Sequence, residues 1–483
     1  FDAVVGNPPF IGGKKLTGAL GTDYREYLVN RLAGGTRGHA DLCAYFLLRN
    51  LSLAPGRRAG IIATNTIAQG DTREVGLDQA TDAGWTVYRA IKSQPWPGTA
   101  ALEVSLIWLG CPGEGEPRTL DEHRVRGITP SLDSESRVSG RALRLAANSN
   151  KSFQGTLLRG MGFVLEPSEA QALIAENRRN ADVLFPYLSG EDLNSQPDCS
   201  ASRWAIDFRD WSEERARTYP EVWNIIESQV KPVREAVAPG SAIKFWHHWR
   251  RRPELHEAIA GFSHVIAIAR VSSTAAATFV PTGQVLHEKL IVFPSDSPAL
   301  LTLLNSNVHI GWAWKYSATL KADLQYTPSD CYETFPHPTD SPTMTKAGSG
   351  LHSARQAAMA SRSIGLTKLY KLVHAETEQA TEIEAIRKAH VAVDNAVVQA
   401  YGWTDLDPKH GFYETRQGPR FTIDPIVQTE ILDRLLELNH ARYKEEEAAG
   451  LHAPGAKKKA APKRNPKPKT EPKPEDGVQD GIF

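Results

Sequence analysis

Cysteine is scarce in this 483-residue chain, and its four copies, Cys43, Cys111, Cys199 and Cys331, stand far apart with no CxxC pair. That excludes a zinc ribbon or a disulfide framework and fits a reduced, cytoplasmic protein. A net charge is also lacking: 56 basic residues balance 56 acidic ones. The uniformly basic surface usual in nucleic-acid binders is therefore absent, although charge can still be segregated locally. The chain has no signal peptide and no run of about 18 apolar residues, so nothing suggests secretion or membrane insertion. No internal repeat is visible. An initiator methionine is missing as well. The chain opens on Phe1, in what reads as mid-strand, which suggests the C-terminal part of a longer gene product.

What is present begins at once. The apolar run Phe1-Asp2-Ala3-Val4-Val5 leads into Asn7-Pro8-Pro9-Phe10. Paired prolines fix φ and bar continuation of regular structure, so the loop after this strand is stiff. The Asn7 side-chain oxygen and a neighbouring backbone carbonyl can both accept hydrogen bonds from one NH2 group. Phe10 offers a face on which a planar base can stack. The motif thus reads as a clamp for a planar amine, a group whose lone pair is delocalised into its ring and must be oriented toward an electrophile.

The first 112 residues alternate strand and helix: a strand at Phe1–Val5, helices at Tyr24–Leu32 and Ala40–Leu53, a strand at Gly60–Thr64, a helix at Thr72–Ala83, and strands at Trp85–Ile91 and Glu103–Leu109. Leu42, Tyr45, Phe46 and Leu48 mark the apolar face of the second helix. Such alternation predicts a parallel sheet flanked by helices, an α/β fold with ligands at the carboxyl ends of the strands. Asn7–Phe10 lies at that end of the first strand. Trp96, in Gln94-Pro95-Trp96-Pro97-Gly98, follows another, so Phe10 and Trp96 can wall one pocket for a base extruded from a duplex. Residues 113–345 mix short strands, turns and many tryptophans and read as a separate α+β domain. Residues 346–450 are mainly helical, with long helices over Ile383–Tyr401 and Pro425–Tyr443. Residues 451–483 are rich in Lys and Pro and are expected to be disordered.

The segment Asp2-Ala3-Val4-Val5-Gly6-Asn7-Pro8-Pro9-Phe10 resembles the catalytic motif of the N6-adenine DNA methyltransferases, most closely that of the large fused enzymes of type IIG and IIL restriction–modification systems and related phage-defence systems. Phe185–Leu193, Trp204–Phe208, Tyr219-Pro220, Val230–Arg234, Trp312–Tyr326 and Tyr332–Pro336 resemble that family's target recognition domain. The resemblance covers most of residues 1–450. It implies that residues 1–112 are the second half of a Rossmann-like class I methyltransferase sheet, followed by the recognition domain and the helical region. It implies methyl transfer from S-adenosyl-L-methionine to adenine N6 in double-stranded DNA, with Asn7, Pro8, Pro9, Phe10 and Trp96 at the reacting base and Asp41 beside the cofactor pocket. Other restriction or defence subunits are the implied companions. The family's glycine loop for the cofactor lies upstream of the motif, where this chain has no residues, so the expected partner is a missing N-terminal half.

Expected DNA contacts are Lys14 and Lys15 near the pocket, Lys244, Arg250, Arg251 and Arg252 in the basic–aromatic stretch Lys244–Arg252, and Arg270 as a reader of a base edge. No metal site is expected, because adjacent His247 and His248 point apart on regular elements and lack a third ligand. Two rival readings stay open at this level. One is a methyltransferase of another planar amine, such as protein glutamine or an rRNA base. The other is a truncated DNA-binding specificity module without activity.

Overall fold

The computed structural model describes residues 1–452 apart from 37, 98–101, 111–116, 126, 136–137, 139, 238–242, 321–322 and 416. The Lys/Pro-rich tail from Ala453 onward, and the disorder expected of it, lie outside the described residues.

The N-terminal module is built on a six-stranded sheet with strands β1 (Ala3–Gly6), β2 (Arg58–Thr64), β3 (Thr86–Pro95), β4 (Glu103–Gly110), β5 (Arg118–Leu120) and β6 (His123–Val125), in spatial order β1-β2-β4-β3-β5-β6. The sheet is mixed, which corrects the expected all-parallel arrangement. β1 runs parallel to β2 and β3 to β5, but β4 is antiparallel to both β2 and β3. The reason is chain length. A parallel crossover needs a dozen or more residues, whereas Trp96–Leu102 alone joins β3 to β4, and Trp96 N–H donates to Leu102 O at 2.9 Å to continue the ladder. β3 also runs further than expected, to Pro95, with register shifts after Val87 and after Ile91. Because β2 and β3 flank β4 in the same sense, the carboxyl ends of β1, β2 and β3 share one rim.

Helices α1 (Gly13–Leu20), α2 (Thr22–Tyr27) and α3 (Leu42–Leu53) lie between β1 and β2 in the chain. α3 buries Leu42, Cys43, Ala44, Tyr45, Leu47 and Leu51. Phe46, expected on the apolar face, is instead 37% exposed. The buried face runs through 44, 47 and 51 at helical spacing, which turns 46 outward. The module's core also takes in Ile128 and Leu132 from the segment leading to the next module.

Beyond residue 140 the described residues form two four-stranded sheets and one three-stranded sheet. The three-stranded sheet joins Val271–Ser272, Asp323–Gln325 and Ala318–Leu320 in that order. Helices Pro342–Arg362, Leu366–Val373, Thr381–Ala400 and Pro425–Ala448 come next, with a hairpin, Gly411–Thr415 and Gly418–Thr422, that has no counterpart among the expected elements. These helices share cores with the sheets before them. One core joins Ile266, Phe293, Trp312 and Tyr326 to Val397, Ile431 and Leu435. Another joins Val265, Ala267 and Leu290 to Leu351, Leu369 and Ile386. No described helix is long and apolar enough to cross a membrane.

Candidate base-binding site and recognition surface

The motif loop leaves β1 at Gly6 and is fixed within a few residues. Pro8 is buried while Asn7 and Pro9 are exposed. Ile11 N–H donates to Pro9 O at 3.0 Å, and Leu42 N–H donates to Ile11 O at 3.0 Å. Gly13 is needed because the chain passes too close to the α3 entry for any side chain: a Cβ there would stand 2.0 Å from the His39 carbonyl oxygen.

Across the rim, Phe10 and Trp96 meet edge to face, with ring centroids 5.5 Å apart and planes at 85°. β1 and β3 are separated by two strands, about 14 Å of sheet, so both loops lean over the intervening ends to touch. The rings form a corner rather than two parallel walls. A planar base stacked on one ring would have the other at its edge, a favoured geometry for aromatic groups.

Asp41 stands at the N-cap position of α3, yet its side chain makes no capping hydrogen bond to its own helix. Its Oδ1 accepts from Gly13 N–H at 2.9 Å, and its Oδ2 accepts from the hydroxyls of Thr66 at 2.7 Å and Thr64 at 3.1 Å. Its own N–H donates to Thr72 Oγ1 at 3.1 Å. The carboxylate therefore ties the motif loop to the carboxyl end of β2. Sequence reading missed Thr64 and Thr66. Their signal was a Thr-x-Thr at the end of a buried strand, but their partner is more than 20 residues away. Cys43 lies beside this hub, and burial pushes its thiol up to about 12, so it is no nucleophile at neutral pH.

Lys14 and Lys15 are exposed on the first turn of α1, directly after the motif loop. The basic–aromatic stretch divides by chemistry. Trp246 is buried and donates its indole N–H to Trp211 O at 3.1 Å. His247 and His248 bind different carbonyls, Trp211 O at 2.9 Å and Ile206 O at 2.8 Å. Lys244, Arg250 and Arg251 remain on the surface. Arg252 does not join them freely. In the left-handed conformation (φ 55°) it precedes helix Pro253–Ile259, donates to Gln154 Oε1 at 3.1 Å and pairs with Glu254 at 3.5 Å. Arg270 is half-buried at the junction between sheets. Its N–H donates to Lys289 O and its carbonyl accepts from Tyr326 N–H, both at 2.7 Å. The surrounding lobe stacks further guanidinium groups on aromatic faces, among them Arg215 on Trp211 at 3.8 Å and Arg159 on Trp249 at 4.1 Å.

Residues 1–79 match the family model of the Eco57I restriction-modification methylase, and residues 138–339 match that of the MmeI target recognition domain. The chain is 23% identical over 356 residues to DNA methyltransferase A of Bacillus subtilis (strain 168); the match takes in 69% of this chain and 39% of that protein. In fold it superposes on the type IIL restriction-modification enzyme MmeI, solved in complex with DNA, with a TM-score of 0.67 at 19% identity, over 92% of this chain and 57% of that one. The chain thus spans well under two thirds of the length of either relative. In both matched segments and in its fold it is similar to the large restriction–modification methyltransferases that its motif resembles.

Proposed function

We propose that this chain is the base-clamping and target-recognising part of a site-specific DNA methyltransferase that methylates adenine N6 with S-adenosyl-L-methionine. The observation that carries the proposal is the Phe10–Trp96 corner beside Asn7-Pro8-Pro9, on one strand rim. The N-terminal sheet is then read as the second half of a Rossmann-like class I methyltransferase sheet. An extruded adenine stacks in the corner. The Asn7 side-chain oxygen and a motif backbone carbonyl accept its two amino hydrogens and turn the nitrogen lone pair outward. The donor supplies an electrophilic methyl group. Asp41, whose two oxygens are engaged by Gly13, Thr64 and Thr66, positions the loop in this reading and is not assigned to the donor. Lys14 and Lys15 face the phosphates beside the extruded base, Lys244, Arg250 and Arg251 contact the duplex backbone, and Arg270 reads a base edge.

The test is methyl transfer by the full-length protein to adenine-containing duplex DNA. Asn7→Ala should lower the rate by about a hundred- to a thousandfold, the cost of losing one oriented polar group at the reacting centre, while leaving duplex affinity nearly unchanged. Equal loss of rate and affinity would make the motif structural. Transfer only to protein or RNA would sink the DNA reading.

A further inference from the structure

The recognition sheets reach toward the base corner through a paired side-chain contact. Gln69 lies just past the carboxyl end of β2. Its Nε2 donates to Thr319 Oγ1 at 2.9 Å, and its Oε1 accepts from Thr319 N–H at 3.2 Å. One amide thus engages both the backbone and the hydroxyl of a single residue, which fixes orientation as a ladder rung does; a one-residue slide of the strand would break both bonds.

The contact has a continuation on each side. Toward the recognition region, Thr319 pairs with Leu324, whose strand pairs with Val271–Ser272, the residues directly after Arg270. Toward the corner, Gln69 N–H donates to Thr66 O at 2.8 Å, Thr66 Oγ1 donates to Asp41 Oδ2, and Asp41 Oδ1 holds Gly13 N–H at the end of the motif loop. The same seam is braced by Arg73 donating to Ser131 Oγ at 3.3 Å and by the Lys92–Asp133 ion pair. Those contacts hold the connecting segment. They do not touch the strand after Arg270.

We infer that Gln69 is a positioning residue: through Thr319 it sets the register between the recognition sheet and the base corner, so that an engaged target site finds the corner correctly placed. The inference rests on the adenine-methyltransferase reading above. A contiguous path supplies a route, and energetic coupling along it is what an experiment must measure.

Three quantities decide it in the full-length protein with a target duplex carrying 2-aminopurine or adenine at the target position: single-turnover methylation rate, equilibrium duplex affinity, and the fluorescence of the extruded base. Gln69→Ala and Thr319→Val should each lower the rate and the extrusion signal by about three- to thirtyfold. Affinity should change by no more than about twofold. The double variant should be no slower than Gln69→Ala, because Thr319→Val removes only the hydroxyl half of the contact that Gln69→Ala removes whole. Gln69→Glu, whose carboxylate can accept from the Thr319 N–H and hydroxyl, should recover most of the rate; it also keeps the test decisive if Gln69→Ala loses structure. Unchanged rates, a matching loss of affinity, or a double variant slowed by the product of the two single effects would overturn the inference. A wild type that binds duplex DNA but does not methylate adenine overturns the functional reading and this inference together. An active wild type with variants at its own rate overturns this inference alone.

Discussion

Gly13 shows how closely the motif loop is fitted. Its missing side chain lets the loop pass the His39 carbonyl, and its N–H reaches Asp41. Gly13→Ala places a methyl group against backbone rather than against a side chain that could swing away, so the loop must move. Such overpacking costs about 1–3 kcal/mol, and we expect a fall of that size in chemical denaturation together with loss of methylation. An unchanged midpoint would contradict the close approach. At the recognition surface the expectation is of another kind. Arg250 and Arg251 are exposed cations, so Arg250→Ala and Arg251→Ala should each weaken binding to any duplex and reduce the salt slope of log K by about one. Arg252→Ala should instead show as lost stability, because its guanidinium is engaged by Gln154 and Glu254. Titrations over a salt series separate the two. Sequence made the stiffness of the Asn7–Phe10 loop legible because it is local: paired prolines fix φ wherever they stand. It could not show Asp41's role, since Gly13, Thr64 and Thr66 converge on it from separate elements.

Among elements, the helix Pro425–Ala448 behaves as a clasp. Asn439, fully buried, accepts from Leu143 N–H at 2.9 Å and donates to Leu143 O at 2.7 Å and Thr334 O at 2.6 Å, imitating a strand partner for residue 143. One turn further on, Arg442 donates to His337 O at 2.6 Å, and then Glu446 accepts from Ala146 and Ala147 N–H at 2.7 and 2.9 Å. Asn439→Ala leaves two carbonyls and one N–H without these partners, and each buried group left unpaired costs about 1–3 kcal/mol. A destabilisation of several kcal/mol is expected by urea denaturation, with far less for the exposed Arg141→Ala. The long helices Thr381–Ala400 and Pro425–Ala448 were readable from apolar periodicity, whereas Pro342–Arg362 was covered only by the general expectation of a helical region. The direction of β4 was readable in principle from its short connection to β3, but strand–helix alternation earlier in the chain outweighed it. The hairpin of Gly411–Thr415 and Gly418–Thr422 is a pair of five-residue strands, too short to advertise a period.

For the whole molecule, the burial of histidine sets an acid limit. Burial holds His309 and His390 at about 3, with the positive charge of Arg355 adding to the effect at His390. His337 and His287 are lowered to about 4, again chiefly by burial. These imidazoles are neutral in the fold, whereas in the unfolded chain they take up protons near pH 6.5. Stability is therefore intact above about pH 6.5 and falls as pH drops toward the folded values, with a slope approaching 1.4 kcal/mol per pH unit for each deeply buried group. Urea midpoints followed by tryptophan fluorescence should decline steadily from pH 7 to pH 5.5; a flat profile would count against neutral burial. All four histidines lie beyond residue 280, so the recognition and helical regions should loosen before the N-terminal sheet. That division of the molecule was only half visible in sequence. The pattern changes near residue 112, but the first sheet and its core run on through Val125 to Leu132, and nothing local reveals that cores run across residue 345, because shared burial is a property of the packed chain.

The shared cores bear on how target preference could be exchanged between relatives. The strands that carry Arg270 draw their interior from helices as distant as Ile431 and Leu435, and segment 141–148 is gripped by side chains of the last helix. A graft cut at residue 345 would divide two interiors and strip the clasp from its strand. By packing, the unit to move begins after Leu132 and ends after the helix Pro425–Ala448, and under the proposed function a transplant should keep Thr319 opposite Gln69.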